Sequence, residues 1–323
     1  MATVKDVARA AGVSAITVSR VVNTPESVSP RTRARVEQAM AELHYVPNAA
    51  AKNLVTNRSG VVDVYVPESI DLSNPFVMHL IAGISKVLSE HMYSFLILRS
   101  RRREHRCDGY IVTGLLKDEI NEFARYASER GRPVVLFGHT ELPGVDCIDV
   151  DNVAGAKMGV EHLITLGHRN IAMINVDEDK DYTTDRLDGY RLALLEHGLS
   201  PEDGRVIYAP NSVDGGAGAV RRILELEGCT AAFCATDTIA IGAASELARA
   251  GRTVPEDFSL VGFDGLGHQL LATPPLTSVQ QPVYEIGEQL ARALLDRLDG
   301  RGETCKRLVE PALLQGRSAA APR

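Results

Sequence analysis

From Gly60 onward the chain alternates short apolar runs with longer stretches of helical periodicity, and this alternation restricts the fold more than any other feature. The runs VVDVYVP, SFLILRS, GYIVTG, PVVLFG, IAMINV, RVIYAP, AAFCAT and SLVGFD are nearly continuously apolar, as strands buried between two layers of helices must be. Segments such as AKMGVEHLITLGH, DRLDGYRLALLEHG and TIAIGAASELARAG lie between them with Ala/Leu helical spacing. An α/β architecture follows, with parallel sheets covered by helices on both faces. Two such sets of strands predict two similar doubly wound subdomains. Ligands of that architecture bind at the carboxyl ends of strands, here in a cleft between the halves.

The first sixty residues read differently. Thr3 is placed to cap a helix through VKDVARAA, and Gly12 ends it because the turn there needs a residue tolerant of positive φ. Ser14 caps a second helix, AITVSRVVN, whose Val18, Val21 and Val22 belong on the buried side while Ala15, Ile16, Ser19 and Arg20 face outward. A third helix opens with Ser29 as cap and Pro30 in its first turn, and presents Val36, Ala39, Met40 and Leu43 inward. Two short helices joined by a glycine turn and braced by a third make an all-α helix-turn-helix. In such a unit Arg20 is long enough to reach a guanine edge. Ser14, Thr17, Ser19 and Asn23 are suited to phosphates, which set register without reading sequence.

Charge supports this division. Net charge is −7 overall. Residues 1–60 nevertheless hold eight Lys/Arg against four acids, whereas the remainder holds 27 against 38. A basic end on an acidic body is the footprint of nucleic-acid binding through that end alone.

TVKDVARAAGVSAITVSRVVN, followed by VSPRTRARVEQAMAELHYVPNAAAKNL, closely resembles the headpiece of the lactose-repressor family of bacterial transcription regulators. The resemblance implies that Ala15, Ile16 and Arg20 read bases. It also implies that residues 48–59 are a hinge, with Leu54 wedged into the minor groove beside Lys52; a flexible linker is the plainer alternative. It extends through NPF, DVDNVAGAKMGVEHLITLGHRNIAMI, RLDGYRLAL, ATDTIAIGA, VPEDFSLVGFDG and PPLTSVQQP to an effector core of periplasmic-binding-protein type. The implied domains are a headpiece (1–47), the hinge, one subdomain (60–150 with about 280–305) and a second (151–279 with about 306–316). Phe76, Asp151, Arg186, Phe233, Asp237 and Asp264 would then line the cleft. Carboxylates and a guanidinium suit a ligand with several hydroxyls, and a phenyl face suits a sugar ring. Asp264 also fits a strand-end turn, and Asp151 a cap for the helix beginning near Val153. Gly138 stands where some sugar-responsive relatives carry a carboxylate.

The expected function is therefore a sequence-specific repressor. It would bind a near-palindromic double-stranded DNA operator as a homodimer and be controlled by a small ligand, a sugar or derivative. A sugar-binding protein without a regulatory role is the alternative, and it leaves the headpiece idle. Enzyme readings lack support, since GxSxG, HExxH and GxxxxGK[ST] are all absent. The five cysteines and nine histidines are scattered without metal-ligand spacing, so no cofactor and no metal are called for. No signal peptide and no long apolar span occur, which points to the cytoplasm and away from a membrane. The carboxyl terminus has no heptad repeat, so a dimer is expected without a helical tetramer module.

One stretch fits poorly. SFLILRS and GYIVTG read as neighbouring parallel strands, yet the segment between them is too short for the usual helical crossover, and relatives carry about four helical turns there. The expected consequences are a bare sheet face, easier unfolding and weakened dimerisation. Asp63, inside the first strand, is a second anomaly.

Overall fold

The computed structural model describes residues 2–23, 25–45, 58–101, 105–201 and 205–323. They form two compact units, residues up to Ser59 and from Gly60 onward.

In the first unit the helices Val4–Ala11, Ala15–Asn23 and Pro30–Glu42 enclose a core of Val7, Ala8, Ala11, Val18, Val21, Val36 and Ala39. Thr3 and Asp6 form a reciprocal capping box at the first helix, and Gly12 closes it at φ 61°. Arg35 of the third helix donates to the carbonyls of Ala11 and Gly12, tying the turn down. Val22, expected on the buried side, is 36% exposed. The three share one stripe about 100° wide, but Val22 lies at its margin, so Val18 and Val21 carry the packing.

The second unit holds two six-stranded sheets among the described residues. The first sheet joins β1 (Val61–Tyr65), β2 (Ser94–Leu98), β3 (Gly109–Thr113), β4 (Val134–Phe137), β5 (Asp146–Val150) and β11 (Lys306–Val309) in the order β11-β5-β4-β3-β1-β2, all parallel. The second joins β6 (Ile171–Val176), β7 (Val206–Ala209), β8 (Ala231–Cys234), β9 (Ser259–Asp264), β10 (Thr277–Gln280) and β12 (Ala312–Leu314) in the order β12-β10-β9-β8-β6-β7. Only the edge strand β12 runs antiparallel. One face of the first sheet packs on the helices Pro75–Glu90 and Val283–Leu298, which also pack on each other, and the opposite face packs on Lys117–Glu129.

β11 pairs with β5, so residues 306–309 belong to the first subdomain and not, as expected, to the second. The preceding helix is anchored there too: Arg297 grips the buried Asp146 of β5 through Nε (2.6 Å) and Nη2 (3.1 Å). The chain thus passes between subdomains after β5, after β10 and after β11.

β2 and β3 are not neighbours; they flank β1. Doubly wound sheets put the first strand between the second and third, which apolar patterning alone does not reveal. Residues 99–108 must run back along a five-residue strand, roughly 16 Å, and sideways by two strand spacings, roughly 10 Å. Their full reach is only about 33 Å, so no length remains for a four-turn helix. At the resulting edge Leu96 is 47% exposed. Leu96 pairs in register with Asp63, which is buried. Asp63 finds its partner in this short crossover, where His105 Nε2 lies 2.7 Å from its Oδ1. The two anomalies of the sequence therefore meet in one contact.

Replacing His105 by Ala should destabilise the protein by about 1–3 kcal/mol in urea unfolding, because it strands a buried carboxylate. Adding Asp63→Val should recover most of the loss. An equal loss in the double variant would show that the pair carries no such role.

Candidate functional site

On the Ala15–Asn23 helix, Ala15, Ile16, Ser19 and Arg20 are exposed, Ile16 at 68%. The opposite side is pinned by Val18 and Val21. Ser14 Oγ accepts the Thr17 N–H at 3.1 Å, capping the helix, and lies 2.9 Å from Thr17 Oγ1, so two of the three hydroxyls expected on phosphates contact each other. The Asn23 side chain, Lys52 and Leu54 lie outside the described residues.

The second constellation lies at the carboxyl ends of the strands in the second unit, centred on Arg186. This residue sits in the helix Asp181–Glu196 and is 3% exposed. Its Nε donates to Asn152 Oδ1 at 2.9 Å, and its Nη1 donates to the Ala235 carbonyl at 2.5 Å. The guanidinium carbon lies 3.6 Å from the Phe263 ring centroid and 4.6 Å from that of Tyr182. Asp264 ends β9 with φ 127°, a conformation that costs a residue with a side chain of order 1–3 kcal/mol. Gln281 Nε2 donates to Asp264 Oδ1 at 2.7 Å, and the same oxygen lies 3.9 Å from Arg186 Nη1.

Asp237 does not open onto the cleft as expected. It is 1% exposed, accepting from Ser278 Oγ at 2.6 Å and from the Gly265 N–H at 2.8 Å. A Cβ on Gly262 would lie 2.2 Å from Asp237 Oδ1, so only glycine leaves room for this carboxyl. Burial, and then the neighbouring Asp264, push the Asp237 carboxyl well above its ordinary range. Burial also raises Asp264, while Arg186 opposes the rise. Asp237 thus supports the strand end that presents Asp264.

Phe233 is also displaced from its expected place. Fully buried in β8, it packs edge-on against Phe263 at 6.4 Å and belongs to the core. A strand buried on both faces gives no sign in sequence of which aromatic reaches solvent. Phe76 is half-buried, its ring 5.0 Å from that of Phe137. Asp151 caps the helix Asn152–Thr165, with Oδ1 accepting the Ala154 N–H at 2.9 Å.

Sequence reading missed a cluster bridging the two subdomains. His139 Nδ1, after β4, lies 3.6 Å from Asp149 of its own subdomain and 3.6 Å from Asp185 of the other. Nearby, Lys117 Nζ donates across the cleft to Thr184 Oγ1 at 2.6 Å and lies 3.5 Å from Asp179 Oδ1. Single polar residues from a loop, from β5 and from two helices carry no shared periodic signal, so only the fold brings them together. Asp149, then Asp185 and Asp181, hold the His139 pKa up at about 9 against burial. Burial raises Asp185 to about 6. Among the described residues this is the group whose ligand atoms, all within 4.8 Å of one another, come near enough to hold a metal ion. At neutral pH the imidazole carries a proton instead. No helix among the described residues is long and apolar enough to cross a membrane.

A helix-turn-helix unit joined in one chain to a two-lobed core of parallel sheets defines the architecture of a ligand-responsive regulator of transcription. Residues 3–48 match the bacterial regulatory proteins of the lacI family, and residues 160–319 match the periplasmic binding protein-like domain. An HTH-type transcriptional regulator of Bacillus subtilis, YvdE, is 37% identical over 317 residues, covering 97% of this chain and 98% of that protein. The structure of a CelR–cellobiose complex superposes with a TM-score of 0.76 at 33% identity, covering 98% of this chain and 100% of that one. A lac repressor dimer bound to operator and the anti-inducer ONPF superposes with a TM-score of 0.79 at 28% identity, covering 99% of both chains. The chain belongs to the lacI family of bacterial regulatory proteins, and it is a DNA-binding transcriptional regulator.

A raised histidine pKa contributes stability that is complete below the unfolded value of 6.5 and is lost as pH rises through about 9. Asp185, raised to about 6, loses its charge on the acid side. The melting-temperature gap between wild type and His139→Gln should therefore be widest between about pH 6 and 7 and should close above about pH 9. A gap independent of pH would show that the ion pairs do not hold the lobes.

Proposed function

We propose that the protein is a repressor that binds a near-palindromic operator as a two-fold dimer and is controlled by a sugar in the cleft around Arg186 and Asp264. The observation that carries the DNA-reading half is an isoleucine and an arginine exposed together on a helix whose opposite side is locked by buried valines. Ile16 offers an apolar contact for a thymine methyl, and Arg20 a bidentate fork for guanine. Two-fold symmetry in the protein then asks for symmetry in the site. Lys52 and Leu54 are assigned to the minor groove, and Ser19 and Asn23 to phosphates.

For the ligand half, a positioned guanidinium, a carboxylate held out by its own backbone, the half-buried Phe76 and the cap residue Asp151 offer donors, acceptors and an apolar face to a polyhydroxylated ring. The cellobiose held by CelR supports that chemistry. A ligand touching both lobes shifts the DNA-competent population by its differential affinity for the two closures, no more.

Gel shifts on genomic fragments, repeated with a panel of sugars, test the whole reading; protein that holds every duplex equally overturns it. Arg20→Ala should cost about 1–3 kcal/mol on the operator and relax preference at one base pair. Uniform weakening on all sequences would assign Arg20 to phosphates. Asp264→Asn should abolish the rise in melting temperature caused by the sugar while leaving ligand-free operator binding within about twofold. Retention of the sugar response would place the effector elsewhere.

A further inference from the structure

The side chains that bridge the lobes stand beside the constellation around Arg186 and are wired to it. Asp149, 5% exposed on β5, faces His139 Nδ1 at 3.6 Å and accepts from Asn152 Nδ2 at 3.5 Å. Asn152 Oδ1 in turn accepts from Arg186 Nε at 2.9 Å. From the other lobe Asp185, the neighbour of Arg186 in the chain, reaches the same His139 Nδ1 at 3.6 Å, and Asp181 bears on it from the start of the same helix. Three carboxylates thus converge on one imidazole across the cleft. The other charged groups around them are Asp188, which bears on Asp185, Lys117, which bears on Asp181, and Arg186 itself. With the imidazole protonated, the first lobe offers a cation to the carboxylates of the second. With it neutral, Asp149 of one lobe confronts Asp185 and Asp181 of the other, and like charges in a partly buried gap repel. Gly138 belongs to the same balance: a Cβ there would lie 3.5 Å from Asp181 Oδ2, so a carboxylate at that position would add to the repulsion.

We propose that His139 is a proton-dependent clasp: facing an ionised Asp185, its imidazolium holds the two lobes together without help from a ligand, and loss of either charge lets them part. The regulatory consequence rests on reading the cleft around Arg186 as the effector site. A neutral sugar has no group that titrates near neutral pH, so any pH dependence of its affinity comes from the protein. The clasp needs both charges at once. Asp185 is ionised above about pH 6, and His139 keeps its proton up to about pH 9, so the lobes are held between those limits. Outside them a ligand that bridges the lobes must supply the closure itself, and it binds more weakly by that fraction.

The test follows the distance between the lobes in the full-length protein and needs neither DNA nor sugar. Asp118 and Asp214 are exposed in the first turns of helices on opposite lobes. Each is replaced by p-acetylphenylalanine and labelled as a fluorescence-transfer pair, which leaves the five cysteines untouched. Labelled chain is diluted into unlabelled excess, so that transfer within one subunit is read. Wild type should show its highest transfer near neutral pH and lose it on both an acid and an alkaline limb. His139→Gln should show low transfer at every pH; the side chain is 44% exposed, so its loss leaves the core intact. Asp185→Asn should lose the acid limb and bring the alkaline one down by about one pH unit. His139→Lys, which keeps a cation to about pH 10, should move the alkaline limb upward. A wild-type signal that is flat with pH, or a pH response that survives in His139→Gln, overturns the proposal. Neither result bears on whether a sugar binds the cleft; a protein with the expected pH curve that responds to no sugar would fail the effector reading and leave the clasp standing.

Discussion

A guanidinium stays charged at every pH a cell meets, so burying Arg186 obliges the second lobe to be built around it. The obligation is met from four directions. Asn152 supplies an acceptor from the start of one helix, Ala235 supplies a carbonyl from the end of β8, and Phe263 and Tyr182 supply aromatic faces. Asp264 sits 3.9 Å away, too far for a hydrogen bond but near enough to balance charge. The strained backbone at Asp264 and the buried Asp237 behind it read as the means of keeping that carboxylate turned to the cleft. A ligand hydroxyl placed between Arg186 and Asp264 would then meet groups already fixed in position, and little side-chain entropy would remain to be lost on binding.

The division of labour between sequence and structure follows the same physics. Helix ends were legible because caps are local: Thr3, Gly12, Ser14, Ser29 and Asp151 each act within a few residues of their own position. The strands were legible because a two-sided core demands continuous apolar runs. Strand order was not, since β2 and β3 look adjacent in sequence yet straddle β1. The limits of the second chain crossing were also hidden, because the KRLV of β11 is too short and too exposed to announce a sheet. Within the cleft, the placement of Phe233 and Asp237 depended on which side of a fully buried strand or helix start they occupy, and no periodicity encodes that. The His139 cluster was invisible for a simpler reason: its members come from three separate elements.

Asp63 illustrates how a departure in one place is answered in another. A buried carboxylate in a parallel strand is costly alone, yet the short crossover between β2 and β3 delivers His105 to it. The contact places a polar pair on the sheet face that packs on the helix Lys117–Glu129. The short crossover and the buried carboxylate thus meet in one contact.

The three passages of chain between the lobes, after β5, β10 and β11, have a mechanical meaning. A pair of bodies joined by one strand can drift, swivel and trade places with those of a neighbouring molecule. Joined by three, they keep chiefly a common pivot, and a nick in any one strap leaves two others intact. The work done by a bound molecule is then channelled into turning one lobe against the other, rather than being dissipated in loosening them.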